Sequence, residues 1–228
     1  MTIKFADLNL ELLKFIEVLI KKGTTYIKPT YSIMDKDASI KPNMRLINPV
    51  DLPLLQFPWL NLSTFGVPPK GEYTKEDKQR MFIKVPIDDD SDLYRQIIAL
   101  DHKLKYEIIE MKSLAIFGSG NMYEYEPLMR FNIKTGKAYI KVKLDTTYPE
   151  NHILTEVWCV KDGIKHQCQF DNIDDFALCV AFKSDIRMIV QVVKLWVINN
   201  KYGLTLKLKK IEVKPYERPN QEVNFLDD

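Results

Sequence analysis

Apolar and polar positions alternate most cleanly from Met81 onward. Met81, Ile83, Val85 and Ile87 interleave with Phe82, Lys84 and Pro86, the period-two pattern of a half-buried strand. The period then changes: Leu93, Ile97, Leu100, Leu104 and Ile108 recur every three or four residues and predict a helix from Ser91 to about Met111. Asp88, Asp89, Asp90 and Ser91 stand at its start, where acids complement the helix dipole and side-chain oxygens cap free N–H groups. These carboxylates are explained without a metal.

Beyond Gly118-Ser119-Gly120 the chain is strand-rich to Lys214, with short turns. Phe131–Ile133 and Lys137–Leu144 flank Lys134-Thr135-Gly136. Val157–Val160 and Ile164–Phe170 flank Lys161-Asp162-Gly163, in which Asp-Gly is a strong hairpin signal. Ile186–Ile198 and Leu204–Val213 flank a five-residue turn, Asn199 to Gly203. Lys210 breaks the alternation of the last strand and predicts a β-bulge before Ile211 and Val213 return to the core. Several strands joined by tight turns, with one interposed helix, predict a mainly β fold with α: a small antiparallel barrel or sandwich.

The N-terminal third differs. Leu10, Leu13, Phe15, Ile16, Val18, Leu19 and Ile20 form a broad apolar side against Glu11, Lys14, Glu17 and Lys21, predicting a helix over 7–22, capped by Asp7 or Asn9 and stopped at Gly23. Residues 24–75 carry prolines at 29, 42, 49, 53, 58, 68 and 69 and predict an irregular wrapping segment with short strands at best, held down by Phe57, Trp59 and Phe65. The expected organisation is an N-terminal extension over 1–77, a core over 78–218 and a short acidic tail over 219–228.

Composition changes little. The chain has 228 residues, 46% of them apolar and only 8 glycines, which excludes a disordered or low-complexity protein. A formal charge of +2 says nothing about nucleic acid, so the distribution of charge has to carry that question. The first residues run into Asp7 and Glu11, and no stretch approaches the roughly 20 apolar residues of a membrane span, so a soluble intracellular protein without membrane contact is expected. Cys159, Cys168 and Cys179 are scattered among apolar neighbours and read as reduced, partly buried thiols.

The local charge pattern is more informative. In Lys137–Leu144, Ala138, Ile140, Val142 and Leu144 share one face, while Lys137, Tyr139, Lys141 and Lys143 share the other. Arg130, Phe131 and Lys134 precede them, and Arg130–Lys143 holds five basic residues and no acid. The last hairpin repeats the theme: Thr205, Lys207 and Lys209 oppose Leu204, Leu206 and Leu208; Lys194 and Trp196 share a face; Lys201 and Tyr202 mark the turn. Cations neutralise phosphates and flat rings stack on bases of any identity, so such faces suit single-stranded nucleic acid. The alternative is a scaffolding β-protein of a virion or assembly whose lysines are merely solvated, since lysine on a solvent-facing strand is ordinary.

No catalytic constellation is evident. Phe117-Gly118-Ser119-Gly120 lacks the Lys-Ser/Thr of a phosphate loop. His166 and Cys168 share a strand face with Cys159 across a hairpin, but a closed zinc site needs a fourth ligand and none stands out. No metal or cofactor is expected.

The order of elements carries a resemblance. The Met81–Ile87 strand, the helix, the basic strand and the Lys161-Asp162-Gly163 hairpin lead to Val190–Trp196, Tyr202-Gly203-Leu204-Thr205-Leu206-Lys207-Leu208 and the acidic tail. In this the chain resembles the replicative single-stranded DNA-binding proteins of large DNA viruses and the related ones of short-tailed phages, over roughly residues 78–228 and most closely over Lys194–Val213. The resemblance implies an OB-fold barrel with an inserted helix that coats unwound DNA during replication, recombination or repair, at a cytoplasmic or nuclear replication site of an infected cell. It places Tyr139, Lys141, Lys143, Trp196, Lys207 and Lys209 on or near the groove. It implies self-association, single-stranded DNA as the ligand with RNA as the alternative, and a tail (Phe225, Leu226, Asp227, Asp228) that contacts a DNA polymerase, helicase or other replication protein. That tail is far shorter and less acidic than in the phage proteins.

Overall fold

The computed structural model describes residues 2–21, 24–31, 50–51, 54–71, 74–112, 123–198 and 200–216. In chain order its elements are β1 (Thr2–Lys4), β2 (Leu13–Lys21), β3 (Thr24–Tyr31), β4 (Val50–Asp51), β5 (Leu54–Gln56), β6 (Leu60–Asn61), β7 (Phe82–Pro86) and helix α1 (Asp92–Lys112). There follow β8 (Glu124–Glu126), β9 (Arg130–Phe131), β10 (Ala138–Leu144), β11 (Glu156–Lys161), β12 (Ile164–Cys168), helix α2 (Ile173–Cys179), β13 (Asp185–Ile198) and β14 (Lys201–Lys214).

The spine is the antiparallel β13–β14 hairpin, 14 residues on each side. Ile198 pairs directly with Lys201, so the expected five-residue turn contracts to two residues. The outer edge of β13 is shared by β3 (Leu195 opposite Ile27), β5 (Val190 opposite Leu55) and β6 (Ile186 opposite Leu60). The outer edge of β14 is shared by β8, β10 and β11, with Tyr202 opposite Tyr125, Lys207 opposite Lys143 and Ile211 opposite Val157. All three run parallel to β14, whereas β7 continues the sheet antiparallel on β10. The result is a β-rich fold with one large mixed sheet and two helices among the described residues. The wholly antiparallel arrangement is thereby corrected. A 14-residue strand outruns its neighbours, and its second edge is filled by three short strands that arrive in the same direction.

A second correction concerns residues 7–22. Asn9 does act as a cap, its Oδ1 accepting from Glu11 N at 3.0 Å, but the helix it starts is the single 3₁₀ turn Leu10–Leu12. Leu13–Lys21 is a strand paired with β3 over eight residue pairs, with a bulge at Ile16. Phe15, Ile16, Val18 and Ile20 are β-branched or aromatic and fit a pleated strand as readily as a helix face. Ladder partners decide between the two, because β3 itself pairs with β13. Gly23 lies outside the described residues, as does Gly118-Ser119-Gly120. An eight-residue β3 also exceeds the short strands expected within 24–75.

One contiguous core joins the sheet and α1. Leu93, Ile97, Leu100 and Leu104 of α1 meet Ile140 and Val142 of β10 and Leu206 and Leu208 of β14 in that core, which also takes in Phe5, Leu55, Phe57 and Leu62. Phe5 and Phe57 pack edge to face at 4.9 Å, so the segments before β7 contribute core rather than covering it. Ser91 is the side chain that caps α1, accepting from Tyr94 N at 3.1 Å. No helix among the described residues is long and apolar enough to cross a membrane.

Candidate nucleic-acid interface

On β10 the pleat works as the alternation requires. Ala138, Ile140, Val142 and Leu144 are buried, Tyr139 and Lys141 are half-buried, and Lys143 is exposed. β7 pairs with this strand so that Lys84 stands directly opposite Lys141. Like charges opposite one another on a sheet face destabilise it. Neither lysine forms an ion pair among the described residues. Lys141 Nζ instead lies 3.7 Å from the centroid of the Phe82 ring, and Lys84 Nζ lies 5.4 Å from that of Tyr139. Burial, then Arg130, Lys143 and Lys84, hold the Lys141 ammonium below the usual lysine range. The Lys143 ammonium, partly desolvated in spite of the exposure of the residue as a whole, is shifted the same way with Lys194 beside it.

The other wall comes from the spine. Trp196 of β13 is half-buried and pairs with Gly203 of β14. A β-carbon on Gly203 would stand 2.8 Å from Trp196 Cζ2 and 2.9 Å from the Glu126 carbonyl oxygen, so glycine is what lets the indole lie against the strand. Between the walls is a cleft of about 220 Å³ lined by Arg130, Lys141, Lys143, Trp196, Thr205 and the segment 126–128. That segment hangs from α1: buried Asp101 accepts from Leu128 N at 2.8 Å, Met129 N at 3.0 Å and the Tyr125 hydroxyl at 2.6 Å. Burial raises the Asp101 carboxyl despite these donors. Arg130 bonds Glu126 across the cleft mouth.

Among solved structures, the chain is similar to gp2.5. That protein is a single-stranded DNA binding protein encoded by bacteriophage T7; the identity is 12%, the match covers 74% of this chain and 98% of gp2.5, and the TM-score is 0.41. No protein-family model matches the sequence, and no curated protein matches it either.

The sequence-predicted residues separate into groups. Arg130, Lys141, Lys143 and Trp196 converge on the cleft, and Lys194 lies close enough to act on Lys143. Tyr139 flanks them, its ring 4.8 Å from that of Phe65. Exposed Phe131, Lys134 and Lys137 sit at the β9–β10 turn. Lys207 and Lys209, by contrast, both bond the carboxylate of Asp145, and Lys201 pairs with Glu124 at 3.5 Å. Tyr202 departs from expectation. It is 3% exposed, its ring packs 5.1 Å from that of Tyr125, burial pushes its phenol up to about 12, and it offers no face to a base. The tail residues Phe225, Leu226, Asp227 and Asp228 lie outside the described residues. Sequence reasoning missed Lys84, whose place on the polar side of the β7 alternation was its signal. It also missed Asp101, a lone acid on a helix with no signal in its spacing.

Proposed function

We propose that this protein binds single-stranded DNA in the cleft between β10 and the β13–β14 hairpin. The observation that carries the reading is the convergence of Lys141 and Lys143, neither ion-paired among the described residues, beside the half-buried Trp196 indole, with Lys84 opposite Lys141 on the next strand. Unneutralised cations held together on a sheet face are costly alone and are relieved when a phosphate chain lies over them. The ring beside them supplies a stacking surface for a base, worth about 1–3 kcal/mol. A duplex reader would instead present a helix to a groove, and α1 commits its apolar face to the core.

In this reading Arg130, Lys141, Lys143 and Lys194 track phosphates, and Trp196 stacks, with Tyr139 at the margin. Phe131, Lys134 and Lys137 extend the path past the β9–β10 turn. We further propose the OB-like barrel architecture, a binding unit over 78–218 completed by the core side chains and strands that precede it, self-association, and a role in coating unwound DNA during replication, recombination or repair. Contact of Phe225–Asp228 with a polymerase or helicase belongs to the same proposal.

Fluorescence polarisation with labelled oligo-dT, oligo-rU and a duplex of equal length tests the reading. Preferential binding of oligo-dT, weakening as salt rises, is expected. No binding at low salt, or equal affinity for the duplex, would overturn it and favour the scaffolding alternative.

A further inference from the structure

The three cysteines, expected to be scattered, come together. Cys159 Sγ on β11 lies 3.0 Å from Cys168 Sγ on β12 and 3.2 Å from Cys179 Sγ at the end of α2. Register explains the first approach: Cys159 faces His166, so Cys168 is its diagonal neighbour on the same side of the hairpin. Helix α2 explains the second. Asn172 Oδ1 caps it through Asp175 N at 2.9 Å, and buried Ile173 and Phe176 fix its position. A zinc ion with bonds of about 2.3 Å would spread its sulfurs to roughly 3.8 Å in a tetrahedral site. These thiols are in closer contact than that, and no group of His, Cys, Asp or Glu among the described residues is placed to hold a metal. Contact distance suits sulfur–sulfur exchange.

We propose that the cluster is a thiol–disulfide relay, centred on Cys159, that closes a Cys159–Cys179 bond when the chain meets a low-molecular-weight disulfide. Cys168 is the entry point: half-buried like the other two cysteines, it ends the one strand, β12, whose other four residues are exposed and which is paired only with β11 among the described strands. Its sulfur attacks the reagent RSSR and releases RS⁻, which takes the thiol's proton, leaving a mixed disulfide. Cys159 then attacks Cys168 Sγ and expels the second RS⁻, which again leaves as RSH. Cys179 attacks Cys159 Sγ, and Cys168 departs as a thiol. Two protein thiols have lost two protons and two electrons, and RSSR has become two RSH.

The order follows from geometry. Diagonal cross-strand neighbours have α-carbons about 7–8 Å apart, beyond the usual disulfide span, so the Cys159–Cys168 bond is a way-station. Cys179 ends its helix, and Val180 already leaves helical geometry at φ −93°, ψ 48°, which gives that partner room to adjust. Burial holds the Cys159 and Cys179 thiols above the ordinary range, so few thiolates exist at neutral pH and exchange quickens as pH rises.

The test treats the full chain with oxidised glutathione at mildly alkaline pH, alkylates the remaining thiols, and maps the peptides by mass. One alkylated thiol at Cys168, a Cys159–Cys179 link and a melting temperature raised by about a few degrees over the reduced chain are expected. Cys179→Ser should stop at a Cys159–Cys168 link, and Cys159→Ser at glutathione bound to Cys168. Three alkylated thiols in the oxidised wild-type chain, links only between molecules, or a Cys168–Cys179 link in Cys159→Ser would overturn the relay.

Discussion

Lysines on two adjacent strands meet opposite surroundings. On β10, Lys141 and Lys143 face Lys84, Arg130 and Lys194, and neither forms an ion pair among the described residues. On β14, Lys207 stands in register with Lys143, yet it and Lys209 both close on Asp145, which follows β10. The two strands carry similar basic faces, and one carboxylate separates them. What makes a basic face available to a ligand is therefore less the number of its lysines than which of them a local acid bonds: Glu126 bonds Arg130 and only eases Lys141, whereas Asp145 takes both β14 lysines.

The contrast can be broken most severely on the unpaired side. Replacing both Lys141 and Lys143 by Gln should weaken oligo-dT binding by about 100-fold at low salt and make the log–log salt dependence shallower by about 0.7 per lysine, read by polarisation across a salt series. Trp196→Ala should cost about 1–3 kcal/mol of binding, roughly 5–150-fold, with the salt slope unchanged because stacking releases no counterions. Gly203→Ala forces a β-carbon into the indole and the Glu126 carbonyl. About 1–3 kcal/mol of stability should be lost in urea unfolding, with a severalfold weaker affinity as Trp196 shifts.

The paired side should answer in the opposite sense. Asp145→Asn releases Lys207 and Lys209, so oligo-dT affinity should rise about two- to fivefold while stability falls by roughly 1–2 kcal/mol. Burial pushes the Asp145 carboxyl up, but the Lys207 and Lys209 hydrogen bonds outweigh it and hold the group below its ordinary range. Its contribution to stability is present above the unfolded carboxylate's pKa and is lost as pH falls through the lower folded value. Acid unfolding of the wild-type chain should therefore converge on that of Asp145→Asn at low pH. Lys207→Gln alone should change affinity less than about twofold, because its charge is already answered.

Much of the site's frame is legible in the sequence because period-two alternation fixes facing. The inward Ala138, Ile140, Val142 and Leu144, the outward Lys141 and the β13–β14 hairpin all follow from it. The helix at Asp92–Lys112 follows equally from its own spacing. The rest depends on partners distant in the chain. Leu13–Lys21 satisfies both periods until β3 supplies a ladder. Tyr202 beside a turn reads as exposed until β8 and α1 close over it. Lys207 reads like Lys141 until Asp145, remote in sequence, reaches it. Helix α2 is only seven residues long, too short for spacing to declare, and Asn172 with Asp174 and Asp175 was its one signal.

The bulge on β14 has a consequence for how the chain tolerates insertion and deletion. Ile189 pairs with Lys210 and Val190 with Leu208, so Lys209 is the residue without a counterpart. That one extra residue advances the phase of the strand, letting Leu208 and Ile211 both point inward. Deleting Lys209 would join Leu208 to Lys210 in one regular alternation, with every remaining pair to β13 kept and Ile211 and Val213 still inward. Straightening the ladder with Lys209 in place would instead turn Lys210 and Glu212 toward the core and leave Ile211 and Val213 facing solvent. Here one residue can be lost while the facing of every residue beyond it is kept.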